Sequence, residues 1–197
     1  MQYELLLALV TFAFASSITP GPNNMMLLAS GANFGFRRTV PHMLGISLGH
    51  ALMVFLVGIG LAQLFVTYPV LKQIMLVAAA LYMLWLAWKI ARAAPVQPGD
   101  VAGKPLTFLQ AAAFQWVNPK AWGMALTAVT AYAPGTTIFA MALVAITFAS
   151  VNLPSVSAWT VLGQQIRRFL TSPKRLRAFN WTMAALLVGS LIFVIRP

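Results

Sequence analysis

Apolar residues dominate this chain in six long runs, which short polar or basic segments separate. A crossing of the bilayer by an α-helix takes roughly 20 consecutive apolar residues, and the runs are of that order or longer. The pattern predicts an all-α membrane protein with six transmembrane helices in a single domain, residues 1–197. The six runs cover approximately residues 4–36, 40–64, 70–91, 106–131, 138–162 and 179–195.

Two of these runs are interrupted by proline. The first run, which is too long for one crossing, contains Thr19–Asn24 (Thr-Pro-Gly-Pro-Asn-Asn), and the fourth contains Val117–Lys120 (Val-Asn-Pro-Lys). Proline lacks an amide hydrogen, and its ring clashes with the carbonyl group four residues earlier. We therefore expect helices 1 and 4 to be broken. Irregular backbone at membrane depth is tolerated only where protein covers it or where it lines a cavity, so the breaks mark the predicted binding region.

The same two breaks indicate an internal repeat. The predicted repeat halves are residues 1–93 and 105–197, joined by a Pro- and Gly-rich linker, residues 94–104. Each half has three spans, and each begins with a broken span. Because three is odd, the halves must cross the membrane in opposite senses, which is the inverted-repeat plan of many secondary transporters.

Composition and charge agree with a membrane protein. The chain is 60% hydrophobic and 8% charged, whereas soluble domains have about 25% charged residues. Its 13 basic and 2 acidic residues give a net charge of +11. The basic residues lie mostly in short loops between apolar runs, so the positive-inside rule predicts cytoplasmic basic loops and both termini outside. The same placement argues against a nucleic-acid partner. The chain has no cysteine, which excludes disulfides and thiol chemistry.

A broken helix presents groups of both polarities. The half-helix that starts at Pro22 exposes amide groups and the positive end of its dipole, which favour a carboxylate. The half-helix that ends before Pro20 exposes carbonyl groups, which suit an ammonium. Asn23 and Asn24 add further donors and acceptors. One break can thus bind both ends of a zwitterion. The alternative is a structural kink whose amides cap neighbouring helices.

Three other residues are candidates for chemistry inside the spans. Lys120 either contacts a substrate carboxylate, or snorkels to the surface or binds the carbonyl groups that Pro119 frees. His50 either carries a coupling proton or is a neutral histidine bonded to a neighbouring span, and His42 is expected to be interfacial. The predicted substrate-binding residues are Pro20, Gly21, Pro22, Asn23, Asn24, Asn118, Pro119, Lys120 and Asn152, and the proton-coupling candidate is His50.

Five short motifs then suggest a family. They are Thr19–Asn24, Gly35–Arg38, Gly45–Gly49, Tyr82–Lys89 and Asn118–Lys120. In these motifs, and over essentially its whole length, the chain resembles the LysE/RhtB family of bacterial amino-acid exporters. The resemblance implies six spans, an inner-membrane location, and export of small amino acids or their analogues in exchange for protons. Stretches 45–49 and 84–90 look most like exporters of cysteine and O-acetylserine. Many family members place an acid near the first of these stretches, where this chain has His50.

We therefore predict an exporter of small amino acids, with the substrate and membrane lipid as partners and no cofactor. An enzyme is disfavoured because hydrolytic sites need clustered Asp, Glu, His or Cys. The alternative is a channel or an assembly subunit without carrier activity. The glycine pairs Gly31/Gly35 and Gly45/Gly49 allow close helix packing. They leave open whether the packing is within one chain or between two chains of a homodimer.

Overall fold

The computed structural model describes residues 3–93 and 104–191, and every regular element in these residues is helical. The prediction of an all-α protein is confirmed for this part of the chain. Most of the predicted linker, residues 94–103, and the last residues of the sixth predicted span lie outside the described residues. The α-helices are α1 Tyr3–Ile18, α2 Pro22–Phe34, α3 Phe36–Leu56, α4 Ala62–Thr67, α5 Pro69–Ala91, α6 Phe108–Val117, α7 Pro119–Tyr132, α8 Ile138–Ile166 and α9 Pro173–Gly189.

Both predicted helix breaks are confirmed. The axes of α1 and α2 are bent by 58° across the first break. At the second break Asn118 has an extended backbone, with φ −95° and ψ 108°, between the end of α6 and the start of α7. Pro22 and Pro119 each occupy the first turn of the helix that follows. A missing amide hydrogen is harmless there, because the first amide groups of any helix have no intrahelical partner.

The described helices are suited to a membrane. Three helical segments are long and apolar enough to cross a bilayer, Phe36–Leu61, Pro69–Ala91 and Ile138–Phe169, and the bent α1–α2 pair is a fourth candidate. Large apolar side chains cover the outer face of α5, where Val77 is 61% and Leu81 is 64% exposed. Soluble monomers rarely expose such a surface, whereas lipid contact requires it. The chain is a multi-pass membrane protein.

The second span begins earlier than the sequence pattern indicated. Gly35 has a φ of 78°, a left-handed conformation that glycine adopts without strain. This residue ends α2 and lets α3 begin at once, so Arg37 and Arg38 lie in the first turn of α3 rather than in a loop. The prediction that Gly35 serves helix packing is wrong, because the residue forms the turn itself. At its other end α3 passes through a π-helical turn, Val57–Leu61, into α4.

The basic loop after the fifth span is also shorter than predicted. α8 continues through Pro154 to Ile166, and a 3₁₀ turn, Arg167–Phe169, follows it. α9 then begins at Pro173 instead of at about residue 179, because the Ser172 hydroxyl caps it by accepting a hydrogen bond from the backbone amide of Arg175, at 3.3 Å. The basic residues after Ser172 therefore lie on the first turns of a helix.

The first broken pair of helices runs parallel to α8. Ser17, at the end of α1, accepts a hydrogen bond from Asn152. Further along both segments, Gly31 of α2 lies against the backbone carbonyl group of Thr160. Gly163 of α8 in turn lies against the backbone of α2. A Cβ atom at either glycine would collide with main-chain atoms, so the absence of side chains sets how closely α2 and α8 approach.

A second close crossing joins α3 to α6. Gly45 lies against the backbone carbonyl group of Phe108, and Gly49 lies 2.7 Å, measured from an added Cβ, from the Cα atom of Ala112. The later residue of α3 contacts the later residue of α6, so the two helices run parallel. The question that the sequence left open is answered for Gly31, Gly45 and Gly49, which pack helices within one chain.

Candidate functional site

The two breaks enclose one small polar cavity. Its volume is about 20 Å³, which is of the order of a single water-sized sphere. The walls come from both broken helix pairs together with α3 and α8. The lining residues are Ser16, Ser17, Gly21, Asn23, Asn24, His50, Gln115, Asn118, Lys120, Ala121, Met124, Asn152 and Val156.

Apolar side chains close this cavity along the helix axes in both directions. Towards the start of α1 lies a buried cluster that includes Leu9, Met53 and Phe148. Towards the start of α3 lies another buried cluster that includes Met43 and Ile46. These clusters separate the cavity from both ends of the bundle. Because its volume is only about 20 Å³, a ligand of amino-acid size needs a movement of the helices to enter.

The carbonyl groups at the end of α1 are bound by side chains from other helices. The Asn24 amide donates to the carbonyl oxygens of Ser17 and Thr19, both at 2.8 Å. The indole nitrogen of Trp159 donates to the carbonyl oxygen of Ile18 at 3.0 Å. Asn24 thus caps a neighbouring helix end, which is the structural role that the sequence left open for the asparagines of this motif.

Lys120 completes the same set of contacts. Its Nζ atom donates to the Thr19 carbonyl oxygen at 2.8 Å, to the Thr19 hydroxyl at 3.0 Å and to the Pro20 carbonyl oxygen at 3.4 Å. The lysine therefore binds carbonyl groups, but those of the first break rather than those near Pro119. Gly21 makes room for it, because a Cβ there would lie 2.9 Å from Lys120 Cδ.

A pair of amides ties the two breaks together. Asn23 donates to Gln115 Oε1 at 2.8 Å, and Gln115 donates back to Asn23 Oδ1 at 3.1 Å. Gln115 is fully buried and was not among the predicted site residues. A polar side chain within an apolar run, one helical turn before Asn118, is the signal that could have identified it.

The two helix starts at the cavity differ in how they are capped. Asn118 caps α7 with its own side chain, which accepts from the Lys120 backbone amide at 3.2 Å. Gly21 stands at the same position before α2 and provides no side-chain cap. The positive end of the α2 dipole is therefore the better place for an anion.

Two side chains of the lining keep an unused polar atom. Asn152 donates to the Ser17 hydroxyl at 3.0 Å, and its Oδ1 atom is buried without a hydrogen-bond partner. His50 Nε2 lies 3.2 Å from the carbonyl oxygen of Ala121, and its Nδ1 atom is also buried and unpartnered. Buried polar atoms are nearly always paired, so these two are free to bind a ligand.

The structure thus brings together most of the predicted residues. Gly21, Asn23, Asn24, Asn118, Lys120, Asn152 and His50 line the cavity. Pro20 reaches it through its carbonyl oxygen, whereas Pro22 and Pro119 start helices. Sequence reasoning missed Ser17 and Gln115. His42, expected to be interfacial, is 1% exposed and lines a second cavity together with residues of α2 and α5.

Comparison with known families identifies the chain. The family model described as LysE type translocator matches residues 14–196. The chain is a LysE-type translocator. The resemblance of the proline and glycine motifs to this family is confirmed, and the protein is a transporter rather than an enzyme.

Individual relatives of this translocator carry a more specific description. It is 32% identical over 191 residues to the cysteine/O-acetylserine efflux proteins of Escherichia coli (strain K12) and Shigella sonnei (strain Ss046). The matches cover 95% of this chain and 96% of each relative. No solved structure matches the translocator.

Proposed function

We propose that this translocator exports small zwitterionic amino acids or their derivatives from the cytoplasm across the bacterial inner membrane. Cysteine and O-acetylserine are the first candidates, because the relatives named above are efflux proteins for these two compounds. The observation that carries the proposal is the small polar cavity at the meeting point of the two breaks. Neutral amides, one ammonium group and two helix ends meet at this cavity. These groups can bind both charged ends of a zwitterion.

Each end of the substrate has a proposed partner. The carbonyl groups that end α1 suit the ammonium, and the uncapped start of α2 with the Lys120 ammonium suits the carboxylate. Asn152 Oδ1 and His50 Nδ1 supply further contacts. Binding requires the helices to separate around the cavity, so the substrate would be exposed first on one side and then on the other.

The proposed architecture is six spans in two inverted three-helix repeats. α6–α7 runs antiparallel to α1–α2, since Lys120 reaches Thr19 while the earlier residue Gln115 reaches the later residue Asn23. In addition, one broken pair packs parallel to α8, and the other packs parallel to α3. This reciprocal packing supports an approximate two-fold axis in the membrane plane that relates the two halves of the chain.

Single cysteines introduced into this cysteine-free chain test the proposed orientation. A cysteine at Thr136, between α7 and α8, is expected to react in intact cells with a membrane-impermeant maleimide. A cysteine at Thr171, between α8 and α9, is expected to react only after the membrane is opened. The positive-inside rule predicts this difference, because the basic residues around the connection between α8 and α9 keep that connection in the cytoplasm. The opposite labelling pattern would reverse the proposed topology.

The proposed activity is tested by counterflow in vesicles that contain the purified protein. Labelled O-acetylserine outside is expected to accumulate transiently in vesicles preloaded with the unlabelled compound, and the rate is expected to saturate. A channel would show flux without counterflow, and an assembly subunit would show no flux. If a panel of small amino acids moves no faster than in protein-free vesicles, the proposed substrate class is wrong.

Proton exchange is a further part of the proposal, with His50 as the carrier. An acidic exterior is expected to accelerate efflux of the wild type. In His50→Gln the same pH gradient should have no effect, while counterflow without a gradient persists. A variant that still responds fully to the gradient would remove His50 from the coupling.

A further inference from the structure

The ammonium group of Lys120 has a complete set of acceptors in this conformation. Its three contacts are the carbonyl oxygens of Thr19 and Pro20 and the hydroxyl of Thr19, at 2.8–3.4 Å. A lysine ammonium has three N–H donors and no acceptor, so the number of partners equals the number of donors. Asn24 and Trp159 bind the neighbouring carbonyl groups of Ser17 and Ile18, and Asn24 shares the Thr19 carbonyl oxygen with Lys120.

The acceptors form a site for a primary ammonium. Carbonyl groups at a helix C-terminus carry the negative end of the helix dipole, and the threonine hydroxyl adds an oxygen beside them. The lysine arrives from the opposite half of the protein, 101 residues away in the chain.

We propose that Lys120 is an internal substitute for the substrate's ammonium group, an inference that rests on the proposed function. When the carrier is empty, Lys120 satisfies the carbonyl groups at the end of α1. When a substrate enters, its own primary ammonium takes these acceptors, and the displaced lysine binds the carboxylate on the same carbon atom. At about 20 Å³ the cavity has no room for the substrate in this conformation, so in this proposal both the helices and Lys120 move when a substrate enters.

This exchange defines the substrate class. The ligand must offer a charged primary ammonium and a free carboxylate, while its side chain is left to other contacts. An N-acylated amino acid has an uncharged amide with a single N–H group in place of the ammonium. O-acetylserine therefore fits the site, and its isomer N-acetylserine does not.

The contact of Lys120 with these acceptors also allows the empty carrier to return to its cytoplasm-facing conformation. In an empty carrier without Lys120, the Pro20 carbonyl oxygen loses the lysine donor and the Thr19 carbonyl oxygen keeps only Asn24, and a carbonyl group without a partner is costly once the helices close over it. With Lys120 in place the empty and loaded forms both keep these groups paired. Net export needs the return of the empty carrier, whereas exchange of one substrate molecule for another does not.

Lys120→Met separates these two activities, because methionine has similar length and no charge. In proteoliposomes at saturating O-acetylserine and mildly acidic pH, the maximal rate of net efflux is expected to fall about tenfold or more, the effect of one carbonyl group left without its donor. The maximal rate of exchange should also fall, because Lys120 binds the carboxylate in the loaded carrier, but by a smaller factor than net efflux. Lys89→Met, at the end of α5, is the matched control and should leave both rates unchanged.

Competition on the wild type provides a second test that does not depend on a variant. Unlabelled O-acetylserine is expected to inhibit exchange of the labelled compound, and N-acetylserine is expected not to. Equal losses of net efflux and exchange in Lys120→Met would overturn the inference, as would equal inhibition by the two isomers. If the wild type moves no O-acetylserine in either assay, the proposed function fails, and the inference fails with it.

Discussion

Replacement of Gly163 by alanine is expected to destabilise the protein by about 3 kcal/mol or more, at the upper end of the range for overpacked cores. The Cβ atom of the new residue would meet the backbone carbonyl group of Leu28 in α2. Backbone atoms cannot move aside as a flexible side chain can, so α2 and α8 must separate. Since α2 also carries Asn23 and Asn24, the separation should displace the cavity lining as well. The midpoint temperature of unfolding of the purified protein in detergent measures the loss.

Gly123→Ala is the matched control for this substitution. Gly123 lies inside α7, and beyond the local backbone of its own helix an added Cβ would have no heavy atom within 4 Å. Alanine is favoured over glycine in helix interiors by up to about 1 kcal/mol, so the unfolding temperature should stay the same or rise. If Gly163→Ala and Gly123→Ala unfold at the same temperature, the close crossing of α2 and α8 does not stabilise this fold.

Replacement of Asn24 by leucine is expected to give the largest loss of transport. Leucine preserves the approximate size of the side chain and removes the donor to the buried Ser17 carbonyl oxygen and one of the two donors to the Thr19 carbonyl oxygen. A buried carbonyl group left unpaired costs about 1–3 kcal/mol, and the end of α1 should shift to find other partners. A displacement of about 1 Å in a binding site can cost about a hundredfold in rate. We therefore expect exchange of O-acetylserine to fall by about that factor.

Thr160→Val is the control for Asn24→Leu. It tests whether the loss of transport follows from unpaired carbonyl groups or from the removal of any buried polar group. Thr160 is also fully buried, and its hydroxyl donates to the Val156 carbonyl oxygen of its own helix at 3.2 Å. That oxygen keeps its backbone hydrogen bond within α8 when the hydroxyl is removed. Exchange per molecule of membrane-inserted protein should therefore remain near the wild-type rate. Wild-type exchange by Asn24→Leu would show that the cap of α1 is unnecessary for transport.

Local chemistry along the chain determined much of this structure. Pro20, Pro22 and Pro119 mark the two helix breaks, because each lacks an amide hydrogen and its ring clashes with the preceding turn. Proline alone does not decide this, since α3 and α8 continue through Pro41 and Pro154. The length of the apolar runs indicated the helical class. The family could be named from the motifs around these breaks, and its model matches residues 14–196. The region of the candidate site followed from the rule that irregular backbone at membrane depth must be covered or line a cavity.

Other features were beyond the reach of sequence patterns. The turn at Gly35 shortened a predicted loop because its φ of 78° depends on how α2 and α3 pack. Gln115 was missed because a lone glutamine in an apolar run has many structural explanations, and only its contact with Asn23 distinguishes it. The apolar clusters on either side of the cavity are likewise assembled from several helices.

The sequence by itself therefore determined where this chain has unpaired backbone groups, and the tertiary structure decided which side chains pair with them. The unpaired groups are local consequences of proline. Their partners come from distant segments, since Lys120 binds Thr19 across 101 residues and Asn23 binds Gln115 across 92. Many side chains can donate to a carbonyl group, so only the packing of α6–α7 against α1–α2 selects the lysine. That selection places an ammonium group where the proposed substrate must place its own.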